Sequence, residues 1–301
     1  MDVATLVRAM GGFASTAALT SRRISDRHLT DAVRCGNLRR IRNGRYTTRD
    51  TFDPEVRAIG LGGRLTGISA LKAMGAWVWT EPSVLHVALA RGASPRRPAG
   101  PRERLHFKAD DGRGGSLSLV DLPLALGRVV LDEPLEEVVP CLDWALSTGR
   151  LDRFGFEELL LRLPRDARTL RAWVDDRSQS VLESVARCRL QSAGWSVRSQ
   201  ARVGELGAID LVVEDLIALE LDGREHHLTA FESDRMKDVQ IAIEGRHSLR
   251  VTSTMLRRHW PSVELAIQAG LAARRRGDAG NSAVAPSAPR GSRVRPRAAR
   301  T

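Results

Sequence analysis

Lysine is nearly missing from this chain: its 301 residues hold three (Lys72, Lys108 and Lys237) against 44 arginines. Such a bias follows from GC-rich coding as readily as from function, so the formal net charge of +11 says less than its placement. Cysteine is scarce as well. Cys35, Cys141 and Cys188 are odd in number and far apart, which excludes a disulfide framework and zinc-finger spacing. They read as small buried hydrophobes in a reducing, cytoplasmic protein. No run approaches the ~20 apolar residues that span a bilayer, so no membrane partner is expected. Residues 1–15 lack a basic stretch followed by an apolar run, and no secretory signal is expected.

What charge there is sits at the two ends. Residues 1–50 hold ten arginines against four acids, and residues 274–301 hold eight against one. Everything between is slightly acidic, a distribution suited to ends that meet phosphate backbones. Solvated arginines in a basic proteome are the alternative.

At ~150 residues per domain the length suggests about two folded units; patterning divides the chain further. In residues 1–50, Ser15 and Thr16 cap one helix and Ser25 caps another over 26–35. Leu29, Ala32 and Val33 form one apolar stripe there, leaving Arg27, His28, Asp31 and Arg34 outside. Asn43-Gly44 between β-formers predicts a hairpin with a type I′ turn. Helices followed by an arginine-studded hairpin predict a winged helix-turn-helix. Arg27 and Arg34 on the helix, with Arg39, Arg40, Arg42 and Arg45 on the wing, would face DNA. A helical module whose basic wing docks another protein is the alternative.

Residues 51–176 read as a mixed α+β middle region, with strands at 84–89, 105–108 and 116–120 and helices at 135–146, 156–163 and 169–174. His86 and His106 each lie in a strand-like run and read as structural, and Asp110-Asp111-Gly112 reads as a turn. Residues 178–270 return to α/β: a helix over 181–193, strands at 195–203, 208–213 and 216–221, a helix over 232–244, a strand at 248–252 and a last helix from about 255. Residues 274–301, rich in Ala, Pro, Ser, Gly and Arg, predict a disordered basic tail.

Chemistry concentrates between 183 and 227. Asp210 lies inside the apolar strand Ala208-Ile209-Asp210-Leu211-Val212-Val213, where a charge is costly unless paired or metal-bound. Glu220 and Asp222 alternate onto one face of the next strand. Asp210 shares that face if the connecting turn sets it opposite Glu220. Asp210, Glu220 and Asp222 then predict a hard-oxygen site for Mg²⁺ or Mn²⁺ of the kind that activates water. Glu183 would add an acid from the first helix, and His226 or His227 a general acid or base. Alternatives stay open at three points. Glu183 could pair with Arg187 four residues on, Asp222-Gly223 could be turn chemistry, and the histidines could satisfy carbonyls.

These residues carry a likeness. Ser180-x-x-Glu183, Ile209-Asp210-Leu211 and Ala218-Leu219-Glu220-Leu221-Asp222-Gly223-x-x-His226-His227 resemble a PD-(D/E)XK group related to the very-short-patch-repair endonucleases. Asp234-Arg235, Lys237-Asp238, Gly245 and Leu249-Arg250-Val251-Thr252 continue the likeness over about 90 residues. It implies a C-terminal restriction-endonuclease-like α/β domain, with Asp210 and Glu220 as metal ligands and Glu183 as a helix-borne acid. The pattern departs at Asp222, which stands where the (D/E)-x-K motif has lysine; His226, His227 or Lys237 would have to compensate. Gly11-Gly12-Phe13, Leu19 and Gly36-Asn37-Leu38-Arg39-Arg40-Ile41-x-x-Gly44-x-Tyr46 resemble the winged helix of AbiEi-family antitoxins from type IV toxin–antitoxin systems. That likeness implies DNA as partner and, in an antitoxin with a silent nuclease fold, a cognate toxin. A C-terminal domain serving as a protein-interaction platform is a third reading.

Overall fold

Ser15 Oγ accepts the Ala18 N–H at 3.1 Å and Ser25 Oγ the His28 N–H at 3.4 Å, so both predicted caps open helices as expected. The computed structural model describes residues 2–110, 112–222 and 231–282. The fold is α/β, with helices and three sheets among those residues.

The first unit runs α1 (Val3–Ala9), β1 (Phe13–Ser15), α2 (Thr16–Thr20), α3 (Asp26–Arg34), β2 (Arg39–Arg42) and β3 (Arg45–Thr47), with strand order β1-β3-β2, all antiparallel. Leu19, Leu29, Ala32, Leu38 and Tyr46 close its core against Val3 and Val7. The hairpin is present, but its turn is not type I′, which needs positive φ at both central residues. Only Gly44 has one (+71°), and the β2–β3 pairing slips between Arg40 and Arg42. A bulge therefore takes up the twist that the turn does not.

The middle unit comprises α4 (Pro54–Leu61), β4 (Arg64–Leu65), α5 (Gly67–Ala73), β5 (Leu85–Ala90), β6 (Glu103–Asp110), α6 (Leu122–Asp132), α7 (Leu135–Ser147), α8 (Arg153–Arg162) and a 3₁₀ segment over Arg165–Ala172. Strand β5 is central, antiparallel to β4 and parallel to β6. Residues 116–120 are not a strand; Leu119 makes one isolated bridge, to Leu65. Asp110 ends β6, pairs with Arg64 and accepts the Gly112 N–H at 2.7 Å, the bond of an Asx turn; Asp111 lies outside the described residues.

The third unit runs α9 (Val181–Ser192), β7 (Val197–Arg202), β8 (Ala208–Val213), β9 (Ile217–Asp222), α10 (Phe231–Ile243), β10 (His247–Thr252), α11 (Ser253–Arg258) and α12 (Trp260–Ser282). Its sheet has the order β10-β9-β8-β7, with β10 parallel to β9 and the other pairs antiparallel. Odd-numbered Leu211, Val213, Ile217 and Leu219 pack towards α9 and α12, while Val212 and Ala218 pack with Ile241 of α10. Helix α12 continues through Arg274 to Ser282, so the expected disordered tail does not begin at 274; residues 283–301 lie outside the described region.

Middle and third units share a packed boundary. Trp79 is buried in the core of the third unit, and Arg257 stacks over its ring at 3.7 Å. Asp143 of α7 and Arg187 of α9 form an ion pair at 2.5 Å with both side chains almost wholly buried.

Candidate functional site

The three-residue turn 214–216 sets β9 against β8 so that Leu211 faces Leu219 and Val213 faces Ile217. Continued by one residue, that register puts Asp210 opposite Glu220. On the other side Gln200 lies between the pairs Ser199–Leu211 and Ala201–Ile209, opposite Asp210. Glu220 in turn pairs with Arg250 of β10. One row, Gln200–Asp210–Glu220–Arg250, thus crosses all four strands.

This row puts acids inside the apolar runs of β8 and β9, and each member has a partner. Asp210 Oδ2 accepts the Leu221 N–H at 2.8 Å. Lys237 of α10 brings Nζ to 2.7 Å from Glu220 Oε1, an ion pair whose angles fall outside hydrogen-bond geometry. The same ammonium donates to the Ala208 carbonyl at 2.5 Å. Gln200 Nε2 donates to Glu183 Oε2 at 2.8 Å. Gln200 holds φ at +51° inside a strand, a left-handed conformation that costs a non-glycine residue of order 1 kcal/mol and collects at functional sites.

Glu183 is buried and does not pair with Arg187. Its carboxylate accepts from the Gln179 N–H at 3.0 Å and from Ser180 Oγ at 2.9 Å, while Ser180 Oγ accepts the Glu183 N–H at 3.2 Å. This reciprocal cap fixes the acid at the start of α9. Arg187 reaches Asp143 instead.

Burial dominates the electrostatics. It pushes Glu220 up to about 7, with Lys237 holding it down and the Asp210 charge adding to the rise. Burial also raises Asp210, against the Leu221 N–H and Lys237, and the Asp222 charge adds to it. Glu183 is raised chiefly by burial, with Asp210 contributing. Three neighbouring carboxyls thus resist ionisation, two of them beside Lys237, and a bound cation would favour their charged forms.

Of the residues expected to act, Asp210, Glu220 and Glu183 are linked through this row. Asp222, at the end of β9, stands against Thr252 of β10. Asp210, Glu220 and Asp222 do not close into a three-ligand group within 4.8 Å; among the described residues the group that does is His86, His106 and Asp132. His226 and His227 lie outside the described residues. Sequence reasoning missed Gln200, a neutral residue with no motif around it. It named Lys237 only as one of three substitutes for the absent lysine. It also read His86 and His106 as separate structural residues.

The basic hairpin presents a second surface. Arg27, Arg34, Arg39 and Arg40 are exposed, while Arg42 and Arg45 are half-buried. Arg34 pairs with Asp31 at 3.0 Å and Arg40 contacts Asn43. Burial lowers the Arg42 pKa, and the neighbouring Arg45 and Arg96 charges lower it further. Arg42, Arg45 and Arg96 therefore crowd like charges at the base of the hairpin, and an anion would relieve them.

Compared with models of known protein families and with curated proteins, the chain matches none. No helix among the described residues is long and apolar enough to cross a membrane.

Proposed function

We propose that the chain is a DNA-binding protein whose third unit hydrolyses phosphodiester bonds with a divalent cation, Mg²⁺ or Mn²⁺. The single observation that carries this reading is a pair of partly buried acids on adjacent strands, Asp210, whose Oδ2 accepts the Leu221 N–H, and Glu220, with the Lys237 ammonium 2.7 Å from it. The order α9-β7-β8-β9-α10-β10 around a mixed sheet supports a restriction-endonuclease-like fold. The order α1-β1-α2-α3-β2-β3 supports a winged helix, and the arginine-bearing hairpin suits contact with phosphates.

The donors fit a hard cation: carboxylate oxygens in a partly buried place. Asp210 and Glu220 would hold it, with Asp222 the nearest further acid along the strand. Such an ion supplies charge neutralisation and a water of lowered pKa. The chain's own groups account for the rest of the hydrolysis, in which water attacks phosphorus and one P–O bond breaks. With Glu220 engaged as a ligand beside Lys237, the attacking water, its pKa lowered by such an ion, would release its proton to solvent. Lys237 brings the positive charge that Asp222 does not. It comes from α10 rather than from the strand, so the missing motif lysine is replaced from across the site. Gln200, itself bonded to Glu183, would orient Asp210 from the opposite side.

A second reading keeps the DNA-binding unit and makes the third unit silent, as in an antitoxin or regulator with a toxin partner. It is favoured by one observation: the three carboxylates do not close into a ligand group among the described residues. Cleavage decides between the two. Wild-type protein should nick supercoiled plasmid in Mg²⁺ or Mn²⁺, and Asp210→Asn should bind the plasmid without nicking it. Normal nicking by Asp210→Asn would remove the assigned site.

For the hairpin, Arg39→Ala combined with Arg40→Ala should weaken binding about equally for all duplex sequences. The slope of log K against log salt should fall by about 2, nearly one for each phosphate that an arginine neutralises. An unchanged slope would place DNA elsewhere on the chain.

A further inference from the structure

We infer that His86, His106 and Asp132 form a second metal site, for a four-coordinate transition-metal ion of the Zn²⁺ class, in the middle unit. The parallel pairing of β5 and β6 sets His86 against Arg104 and Ala88 against His106. The two histidines are thus diagonal neighbours, with ring centroids 5.1 Å apart. Asp132, the last residue of α6, comes down onto them. Its Oδ2 lies 3.7 Å from His86 Nδ1 and 3.6 Å from His106 Nε2.

These three atoms are also buried, and none has a hydrogen-bond partner among the described residues. Buried polar atoms are nearly always satisfied, so three orphans turned towards one point need a common partner. Asp132 is oriented for this: Arg128 takes its Oδ1 at 3.3 Å and leaves Oδ2 to face the imidazoles. Burial holds His106 down to about 4 and lowers His86 too, so both rings are in the neutral form that ligates metals.

Donor chemistry and spacing select the ion. Two imidazoles and one carboxylate suit a transition metal, whereas Mg²⁺ and Ca²⁺ prefer all-oxygen shells. Bonds of about 2.0–2.1 Å place tetrahedral donors roughly 3.4 Å apart. The distances of 3.6 and 3.7 Å need to close by only a few tenths of an ångström. If His86 binds through Nδ1, its Nε2 carries the proton, and the nearest carboxylate oxygen, Glu133 Oε1, is 4.0 Å away, outside hydrogen-bond reach. A cleft of about 410 Å³, lined in part by His86, Arg104, Asp132 and Glu133, opens beside the group. It provides an entry path and leaves the fourth position for water or a small anion.

The test uses full-length protein stripped with a chelator and titrated with Co²⁺ as an optical probe. One Co²⁺ per chain should bind with the visible absorption of a four-coordinate N/O site, and Zn²⁺ should displace it. His106→Gln and Asp132→Asn should each weaken uptake at least about tenfold, whereas Asp210→Asn should leave it unchanged. The last variant separates this site from the carboxylate pair in the third unit. Folded wild-type protein that takes up no Co²⁺, or takes it up only in a six-coordinate form, overturns the inference. So does undiminished uptake by whichever of the two ligand variants keeps its circular dichroism.

Discussion

Alanine at Asp143 is expected to cost about 3–5 kcal/mol of stability, the usual penalty for stranding one member of a buried ion pair. Asp143 is fully buried and Arg187 nearly so. Its carboxylate accepts from Arg187 Nη2 at 2.5 Å, Ser184 Oγ at 2.6 Å and the Asp175 N–H at 2.8 Å. Removing it leaves a buried guanidinium without its counter-charge and takes the acceptor from Arg187 Nη2 and the Asp175 N–H, while Ser184 Oγ keeps the Ser180 carbonyl at 3.3 Å. Because α7 and α9 belong to different units, the loss falls on the boundary between the middle and third units. Urea unfolding should show the midpoint falling sharply. A double variant, Asp143→Leu with Arg187→Met, should recover much of the loss, because a well-packed apolar pair can replace a buried ionic one. A single variant that unfolds within about 1 kcal/mol of wild type would mean that the pair is solvated and weak.

Lys237→Ala should lower plasmid cleavage by about 10²–10³-fold, the scale for removing one preorganised charge from a reacting centre. Affinity for DNA should be unchanged, since the ammonium belongs to the third unit and the basic hairpin to the first. The pH profile supplies a second readout. Lys237 holds the Glu220 carboxyl down, and burial together with Asp210 leaves it at about 7. Without the lysine its proton affinity rises. Any acidic limb governed by Glu220 should therefore move to higher pH, and full activity should require more alkaline buffer. Cleavage by Lys237→Ala at the wild-type rate and with the wild-type profile would reduce the lysine to a helix anchor bonded to the Ala208 carbonyl.

Local signals in the sequence carry well where they concern one element. Ser15 and Ser25 open helices by accepting backbone N–H groups, as their positions predict. The apolar run 208–213 with one acid inside it is a strand, and its partner register follows from the short turn. Signals that depend on topology do not carry. Helix α6 is not among the expected elements, and Pro123 and Gly127 interrupt its pattern. In the fold Pro123 sits in the first turn, where proline is tolerated, and Asp121 caps the helix through the Leu124 N–H at 3.0 Å. Without α6 there is no reason to bring Asp132 to His86 and His106. Those histidines meet only because β5 and β6 pair in parallel across the loop 91–102, and nothing local specifies that pairing. Lys237 is a similar case. It reaches Glu220 from the helix that follows β9, so its role depends on how α10 lies on the sheet.

Whether Asp210 and Glu220 share a divalent cation is read most directly from an anomalous difference map of crystals grown with Mn²⁺ and a DNA duplex. The predicted result is a peak between the two carboxylates, with oxygen distances of about 2.0–2.4 Å. A DNA-bound crystal with no peak there would contradict a metal-dependent site at this pair and leave the silent-fold reading in its place.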